Sequence, residues 1–418
     1  MTPVLRVLYD SQLVGHLAEG PGRPIVFQYA PTWLEKGFDL APASIPFDER
    51  ANPAERPEFA GLPGAFNDSL PDGWGLLLMD RALKAYKGLD RAQITPLDRL
   101  AYMGHRCMGA LEYQPELLPA QNGHVLDLAA IADQSDKLLH GETSGVLEEL
   151  RICGGSPGGA RPKVTVAFSD DMQVCLSSFG ALPPGYSHWI VKFRNDGRFG
   201  DGDPVDTGRM EMAYAEMARA AGLDMPKTCL IELTVNRRRE AFFAVQRFDR
   251  VGSRKIHFLS LSGYAYASHQ APSLDYATGV LPATKKLTRS DQEVEQAYRL
   301  MLFNVLAHNK DDHAKNFAYL RNPDTGTWRL APAFDLTYNT GMANEHTTAI
   351  AGAGNPKFKD LKQVAVQRRI KNWARVLDEV RSGVARWPEF ARMYGVSETR
   401  IAEIHKALSQ LDRDCSPP

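Results

Sequence analysis

The feature that most constrains the fold of this chain is a change in hydrophobic period near residue 250. Before it, short runs such as HWIVKF, CLIELTV and AFFAVQRF are rich in β-branched and aromatic residues and predict strands. Beyond it, apolar residues recur at the helical period, first in QEVEQAYRLMLFNVLA and then from about residue 359 to 413. We therefore expect a β-rich part followed by an α-rich part.

Two local signals refine that division. Ser290 to Glu293 reads Ser-x-x-Glu, a capping box that predicts the start of the long helix in the α-rich part. Thr207 to Ala221 repeats apolar residues at helical spacing and is followed by Gly222, a natural stop. The β-rich part is therefore predicted to be a small antiparallel sheet with one helix inserted.

The first 115 residues predict a separate small α/β module. The segment PVLRVLYDSQLVGHLAEG alternates apolar and polar residues around a turn at Asp10 and Ser11, and PIVFQYA continues it as a third strand. Helical patterns follow near 74–88 and 97–103, before the loose segment PELLPAQNGH, and a short helical stretch covers about 127–150. The three predicted parts are residues 1–115, 116–250 and 251–418.

Composition excludes several classes of protein. The 418 residues favour two or three domains, and 44% hydrophobic with 24% charged residues is the balance of an ordinary globular protein. A net charge of −1 provides no overall field for nucleic acid or membrane. The five cysteines are scattered without a CxxC pair, which indicates a reducing compartment and no zinc site. With no secretion signal and no apolar window of about 18 residues, we expect a cytoplasmic protein without a membrane partner.

The sequence HNKDDHAKNFAYL, from His308 to Leu320, is the strongest indication of chemistry. Asp311 and Asn316 stand five residues apart, as in the catalytic loop of protein kinases, where the aspartate accepts the substrate hydroxyl proton and the asparagine ligates magnesium. A second metal carboxylate is expected at Asp335, because NFAYL and WRLAPAF predict a hairpin that returns the chain to the same end. The alternative is a solvated polar turn.

Neighbouring residues leave further alternatives open. Asp312 competes with Asp311 as the base, although it lacks the five-residue spacing to the asparagine. His308 and His313 are residue types found in metal sites, but their spacing does not direct both towards one ion, and hydrogen-bonding roles are commoner. Lys315 fits either neutralisation of phosphate or an ordinary surface lysine.

A glycine-rich stretch and a strand lysine predict the phosphate side of a nucleotide site. GGSPGGARPK, Gly154 to Lys163, is neither GxGxxG nor a P-loop, yet its glycines would let backbone amides approach phosphate; a structural hairpin fits equally well. Lys192 shares a strand face with Ile190 and needs an anion if it is buried; a solvated edge-strand lysine is the alternative. In kinases such a lysine contacts nucleotide phosphates and pairs with a helix glutamate, for which Glu211 is preferred over Glu216.

The strand segment AVQRFDR, Ala244 to Arg250, ends just before the helical part. A kinase-like fold has its hinge at this place, where the backbone meets adenine. Gln246 and Phe248 would supply polar and apolar contacts there. Without the rest of the pattern, the segment would simply be a strand end.

The order of these features resembles the HipA family, the kinase toxins of bacterial type II toxin–antitoxin systems. The resemblance covers nearly the whole chain, and its most specific motifs are GGARPK, VKF, QRFDR, DDHAKNF and LAPAFDL. VGHLAEG, FQYAPTWL, FNDSLPDGWG and LAYMGHRCMGALEY resemble the small N-terminal module of the family. The resemblance implies an α+β, two-lobed protein-kinase-like fold of HipA type, with an N-terminal α/β module and an α-rich C-terminal lobe.

The resemblance also implies roles for matching residues. Asp311 would be the catalytic base, Asn316 and Asp335 would hold magnesium, and Glu211 would pair with Lys192. In the family, a serine before the phosphate loop can be autophosphorylated, which silences the kinase; Ser156 stands at that place, with loop capping as the alternative role. ATP contacts are expected at Gly158, Gly159, Ala160, Arg161, Pro162, Lys163, Lys192, Gln246, Arg247, Phe248, His313 and Lys315.

The implied cofactors are ATP and Mg²⁺, and the implied partner is a HipB-like, DNA-binding antitoxin. The implied substrate is a protein such as an aminoacyl-tRNA synthetase, notably the glutamyl enzyme. DNA would be reached through the antitoxin complex, and the basic run Lys362 to Trp373 fits such a contact or a solvated helix face. A small-molecule kinase on the same frame and a non-catalytic co-repressor are the other functions left open. The chain departs from the best-known member at Gln246, where that protein has glutamate, and at Asp312, where it has glycine.

Overall fold

The computed structural model describes all residues except 1–3, 21–23, 55, 118–124, 141–149, 151–157, 160, 180–181, 195–204, 269–273 and 418. The chain divides into two compact units. Met1–Val205, Ile231–Leu259 and Gly263–Tyr266 form the N-terminal unit, and Asp206–Leu230, Ser260–Ser262 and Ala267–Pro418 form the C-terminal unit. Within the described part of the chain, no helix combines the length and apolar character that crossing a bilayer requires.

A five-stranded sheet opens the N-terminal unit. Its strands are β1 (Val4–Tyr9), β2 (Gln12–Glu19), β3 (Ile25–Tyr29), β4 (Asn52–Pro53) and β5 (Leu111–Gln114), in the order β4-β3-β2-β1-β5, and all pairs are antiparallel. The predicted hairpin is confirmed, because Asp10 and Ser11 take φ angles of 48° and 63° in the two-residue turn between β1 and β2. Turns of that kind match the twist of the strands they join.

The helices predicted in the first part of the chain are confirmed. They are α3 (Gly73–Lys87), α4 (Pro96–Met103) and α5 (Leu128–Leu139). The structure adds α1 (Pro31–Lys36), α2 (Gly64–Asn67) and a 3-10 helix at Pro57–Phe59, which were not predicted. The α4 helix begins at a complete capping box, in which Thr95 and Asp98 each accept the backbone N–H of the other. The predicted continuation of α5 towards residue 150 falls mostly outside the described residues.

The predicted β-rich part is confirmed as a second five-stranded sheet. Its strands are β6 (Lys163–Ser169), β7 (Cys175–Ser177), β8 (Tyr186–Lys192), β9 (Thr228–Val235) and β10 (Arg238–Gln246), in the order β7-β6-β8-β10-β9. The short strands β11 (Arg250–Val251), β12 (Arg254–Lys255) and β13 (His257–Ser260) follow. The predicted intervening helix forms as α6 (Thr207–Ala220) and belongs to the C-terminal unit, where Tyr214 Oη donates to the Ala307 carbonyl at 2.7 Å.

The predicted α-rich part is also confirmed. Its α-helices are α7 (Leu261–Ala265), α8 (Leu281–Thr288), α9 (Asp291–Leu306), α10 (Phe358–Gln367), α11 (Trp373–Val384), α12 (Trp387–Met393) and α13 (Glu398–Asp414). There are also a π-helix at Tyr276–Val280 and 3-10 helices at Ala314–Asn316 and Met342–Asn344. The strands β14 (Ala318–Arg321) and β15 (Trp328–Leu330) form a hairpin. Every side chain of α9 from Ala297 to Leu306 is buried, so this helix is the core of the unit.

The predicted capping box of α9 is only half formed. Ser290 Oγ accepts the Glu293 N–H at 3.2 Å, as expected. The Glu293 carboxylate, however, accepts the Leu330 N–H at 2.8 Å, and the Ser290 N–H is bonded to Thr288 Oγ1 at 3.3 Å. The sequence prediction is wrong about the Glu293 carboxylate because β15 presents a strand N–H to it.

Candidate active site

The predicted catalytic loop leaves the buried end of α9 in a fixed conformation. His308 adopts φ 55°, a left-handed conformation that is uncommon for a residue with a side chain. Its ring stacks on Tyr338 with centroids 4.8 Å apart, and its Nδ1 lies 3.2 Å from the Asn339 carbonyl. Burial, reinforced by Lys310, lowers the pKa of His308, so the ring is neutral at physiological pH. These contacts give His308 a structural role.

The two adjacent aspartates differ sharply in exposure. The Asp311 side chain is 50% exposed, with Oδ1 lying 3.9 Å from His313 Nε2. The Asp312 side chain is 0% exposed. A general base must reach the proton that it removes, so Asp311 is the residue able to meet a substrate hydroxyl, whereas Asp312 faces the protein interior.

Asp312 anchors the loop through a buried hydrogen-bond network. Its Oδ2 accepts from Tyr276 Oη at 2.9 Å and lies 3.0 Å from His346 Nδ1, and its Oδ1 accepts from the Thr348 N–H at 3.2 Å. The Thr348 hydroxyl donates to the Asp312 carbonyl. Burial and the adjacent Asp312 raise the pKa of Tyr276, which therefore stays a donor. Asn304 Nδ2 donates to Tyr276 Oη at 3.0 Å and extends the network to α9.

The side chain of Asn316 is oriented by the loop itself. Its Nδ2 donates to the Asp311 carbonyl at 2.7 Å. Because a carbonyl can only accept, this bond fixes which end of the amide is the nitrogen and leaves Oδ1 out of the bond. An amide oxygen held in this way suits a hard cation such as Mg²⁺.

Asp335 is brought towards the same loop by contacts on both sides of it. On one side, β14 and β15 pair in the register Tyr319↔Leu330, and the Ala331 N–H donates to the Ala318 carbonyl at 2.8 Å. On the other side, the Asn339 N–H donates to the His308 carbonyl at 2.9 Å.

The backbone of Asp335 itself is constrained. Asp335 adopts φ 57°, a left-handed conformation that aspartate tolerates better than most residues and that is frequent at functional sites. The side chain is half-buried. Within the described residues, no three His, Cys, Asp or Glu side chains cluster closely enough to hold a metal, so a magnesium ion here would need Asn316, Asp335, phosphate oxygens and water.

Lys310, next to the candidate base, is structural. Its Nζ donates to the Asn344 carbonyl at 2.7 Å and to the Asn355 side chain at 2.8 Å. Burial lowers the pKa of Lys310, and Glu345 and Asp312 partly offset that shift. His313 and Lys315 are half-buried in the loop, beside Asp311 and Asn316 in sequence. Their predicted nucleotide contacts stay predictions.

In the N-terminal unit, the register of the second sheet places two lysines opposite each other. Lys192 of β8 is the partner of Lys163 on β6 and of Phe243 on β10. Opposite residues point to the same face of a sheet, so this face carries both ammonium groups. Lys192 Nζ lies 5.6 Å from the centre of the Phe243 ring, and Lys163 Nζ donates to the Gly158 carbonyl at 2.5 Å. The predicted partner Glu211 is buried on α6 in the C-terminal unit, and its pairing with Lys192 stays a prediction.

Residues of the predicted phosphate loop contact the start of α3. Gly159 adopts φ 114°, a conformation that favours glycine. Its N–H donates to Asp72 Oδ1, and its carbonyl accepts from the Trp74 N–H at 3.3 Å. Sequence reasoning missed Asp72, although it lies within FNDSLPDGWG. Arg161 and Pro162 are described beside this loop, whereas Ala160 and the predicted phosphorylation site Ser156 lie outside the described residues.

In the predicted adenine segment, the Arg247 side chain is engaged within the protein. Gln246 ends β10 opposite Trp189, and Phe248 stacks on Phe258 with centroids 6.3 Å apart. The Arg247 side chain is buried and donates to Asp249 at 2.7 and 2.9 Å. Arg247 therefore has only backbone atoms to offer a nucleotide.

Asp249 is held as a carboxylate. Its burial would raise its pKa, but Arg247 and Arg250 outweigh that effect and hold the pKa well below the usual range.

A cavity of about 300 Å³ lies on the other face of the second sheet, lined by Phe193, Arg194, Glu240, Phe242 and residues of α5. Phe193 and Phe242 alternate along their strands with Lys192 and Phe243 and so point away from the two lysines. We therefore do not assign this cavity to a nucleotide.

The fold is α+β and of the protein-kinase-like type. The HipA N-terminal domain family matches residues 5–114, and the HipA-like C-terminal domain family matches residues 155–404. The chain belongs to the HipA family, which confirms the resemblance read from the sequence.

Two known proteins illustrate the relationship. The chain is 28% identical over 355 residues to the protein named "Putative kinase Y4mE" of Sinorhizobium fredii, and the match covers 80% of this chain and 76% of that protein. The HipA of Shewanella oneidensis MR-1, solved with HipB and its operator DNA, superposes with a TM-score of 0.70 at 16% identity, covering 98% of this chain and 96% of the other.

Proposed function

We propose that this protein is an ATP- and Mg²⁺-dependent serine/threonine protein kinase of the HipA toxin type. The observation that carries the proposal is the division of labour in the loop after α9. Asp311 exposes its carboxylate, Asp312 is buried as an anchor, and Asn316 has its amide fixed by the bond to the Asp311 carbonyl. A phosphotransferase needs these three functions within a few residues, whereas a solvated turn needs none of them.

Each residue has a defined task in the proposed reaction. Asp311 orients the substrate hydroxyl and accepts its proton as the phosphoryl group transfers. Lys192, on the face shared with Lys163, stabilises the negative charge of the ATP phosphates. Gly158, Gly159 and the chain to Lys163 offer backbone amides to those phosphates. Glu211 would orient Lys192, and Gln246 and Phe248 would meet the adenine.

Asn316 and Asp335 would hold magnesium, because their side chains supply the oxygen ligands that this hard cation prefers. The metal, when bound, neutralises charge on the phosphates. The left-handed backbone of Asp335 and the fixed amide of Asn316 hold these oxygens in place before the nucleotide arrives. Lys315 would neutralise charge on the transferred group, and His313 would lie near the nucleotide.

We further propose regulation by phosphorylation of Ser156 and by a HipB-like antitoxin. Support for the partner comes from the fold shared with the Shewanella oneidensis HipA, which was solved bound to HipB and operator DNA. DNA contact would pass through that complex. The substrate would be a protein such as an aminoacyl-tRNA synthetase, and the chain would act in the cytoplasm. We also propose that the chain has three parts, with boundaries near residues 115 and 250.

Intact-mass analysis after incubation with Mg–ATP tests the proposed function. We expect one added phosphate that maps to Ser156 and is absent when magnesium is chelated. Labelled ATP added to a bacterial extract should then mark a protein band. Label found only in small molecules would favour a metabolite kinase, and ATP binding without any transfer would favour the co-repressor function.

A further inference from the structure

The strand that carries the adenine-side residues ends in a buried charge cluster of the N-terminal unit. Asp249 is fully buried and accepts from Arg247 at 2.7 and 2.9 Å and from Arg250 Nη1 at 2.7 Å. Arg247 donates onward to the Cys107 carbonyl at 3.1 Å, and Arg250 donates to the Cys107 and Gly109 carbonyls at 2.9 and 2.8 Å. The Gly109 N–H in turn donates to Asp249 Oδ2 at 2.7 Å.

The cluster joins segments that are far apart in sequence. Its carbonyl acceptors lie in the loop between α4 and β5, within the matched HipA N-terminal domain. Arg247 follows directly after β10, and Arg250 begins β11. Lys255 adds a further link, because its Nζ donates to the His105 carbonyl at 2.9 Å and to Glu112 Oε1 at 2.6 Å.

Such a cluster has little freedom to adjust. Buried charges are tolerated only while their partners stay in good geometry, and removal of one partner leaves the others uncompensated. Gly109 also adopts φ 74°, and a Cβ added there would lie 3.0 Å from the Phe258 side chain. The loop that receives the arginines is therefore fixed by its own backbone as well as by its charges.

We propose that Asp249 is a positioning residue for the adenine end of the nucleotide site. Through its ion pairs with Arg247 and Arg250, it anchors the end of β10 to residues 104–112. The inference rests on the proposed kinase function. The residue before Arg247 is Gln246, and the same strand places Phe243 opposite Lys192. A displaced end of β10 would therefore disturb both the adenine contact and the phosphate lysine.

A second, independent contact supports the same view of the N-terminal domain. Asp72 and Trp74, at the start of α3, bond the two backbone polar groups of Gly159 in the phosphate loop. The matched N-terminal domain thus holds two separate elements of the proposed ATP site within one unit. It would act as part of the nucleotide site and not only as a separate binding module.

The test is a graded series of variants in the full chain. Asp249→Asn, Arg250→Lys and Glu112→Gln should weaken Mg–ATP binding, measured by calorimetry, with Asp249→Asn raising the ATP Kd by about tenfold or more. The KM for ATP should rise in parallel, because the variants disturb the adenine and phosphate contacts and leave Asp311, in the other unit, intact. Glu232→Gln is the matched control, since it removes the charge of an exposed pair with Arg239.

Several outcomes would overturn the inference. Variants that stay folded and bind ATP as the wild type does would contradict it, and so would a fall in kcat with unchanged KM. If Asp249→Asn does not fold, the ATP Kd and KM of the milder Arg250→Lys and Glu112→Gln variants test the inference. If the wild type itself binds no ATP, the proposed function fails first, and the inference fails with it.

Discussion

The side-chain amide nitrogen of Asn316 donates a hydrogen bond to the backbone carbonyl of Asp311 at 2.7 Å. This bond ties the candidate metal ligand to the candidate base across the loop. It also explains the five-residue spacing in physical terms, because the intervening 3-10 turn at Ala314–Asn316 returns the amide to the carbonyl. The spacing visible in the sequence is thus the spacing of a closed hydrogen-bonded ring.

Asn316→Ala should therefore raise the Mg²⁺ concentration needed for half-maximal phosphate transfer. The variant loses an oxygen ligand and the bond that orders the loop, and the loss should be about tenfold or more in apparent metal affinity. A magnesium titration of transfer activity measures it. Asn372→Ala, at an exposed position without a side-chain cap, should titrate like the wild type; equal curves for both variants would refute the assignment.

Asp312→Asn should slow transfer without changing ATP affinity. The variant places an N–H₂ group where Tyr276, His346 or Thr348 now donates, so the loop should shift, and small misplacements of catalytic groups can cost about a hundredfold in rate. Tyr276→Phe removes the hydroxyl that donates to Asp312 and accepts from Asn304, and it should cost about 1–3 kcal/mol of stability. Single-turnover rates and ATP Kd values separate the two effects.

The matched control for Asp312→Asn is Asp378→Asn, because Asp378 is exposed on α11. If Asp312→Asn transferred phosphate at the wild-type rate, the network would have no role in positioning Asp311.

Asp335→Asn and Asp335→Ala should separate charge from backbone strain. Both should lose about a hundredfold or more in Mg²⁺-dependent activity, because both remove the carboxylate. Only Asp335→Ala should also lose about 1 kcal/mol of stability, since alanine tolerates φ 57° less well than aspartate or asparagine. Thermal unfolding and transfer assays on the pair measure the two quantities; wild-type activity in Asp335→Asn would contradict the metal role.

His188 should make the N-terminal unit sensitive to acid. Burial, reinforced by Arg247 and Arg250, lowers the pKa of His188 from 6.5 to about 3. The unfolded chain therefore binds a proton that the folded chain rejects, and stability present above pH 6.5 is lost as pH falls towards 3. His188→Gln should reduce that loss by about 1.4 kcal/mol for each pH unit below 6.5.

Unfolding of wild type and His188→Gln at about pH 7 and about pH 5 measures this difference. His405→Gln, at an exposed position on α13, is the control and should leave the pH dependence unchanged. An identical pH dependence in wild type and His188→Gln would show that His188 is protonated in the folded state.

The sequence predicted the elements and the catalytic spacing well because those signals are local. Strand alternation, the helical period and the turn at Asp10 and Ser11 act over a few residues. Asp311 and Asn316 could be read in the same way, since their bond closes within five residues.

The sequence could not show how distant residues share a site. Asp312 is an anchor only because Tyr276 and His346 meet it, 36 and 34 residues away along the chain. The sequence predicted that QRFDR is an adenine segment. In the structure, Arg247 donates to the Cys107 carbonyl and Asp249 accepts from the Gly109 N–H, about 140 residues earlier in the chain. Such contacts depend on tertiary packing and cannot be predicted from a local sequence pattern.

The most direct test of the central claim compares phosphate transfer from labelled ATP by the wild type, Asp311→Asn and Asp378→Asn. If Asp311 is the base, Asp311→Asn should lose about a hundredfold to ten-thousandfold in rate while it still binds Mg–ATP, and Asp378→Asn should match the wild type. Wild-type transfer by Asp311→Asn would contradict the account.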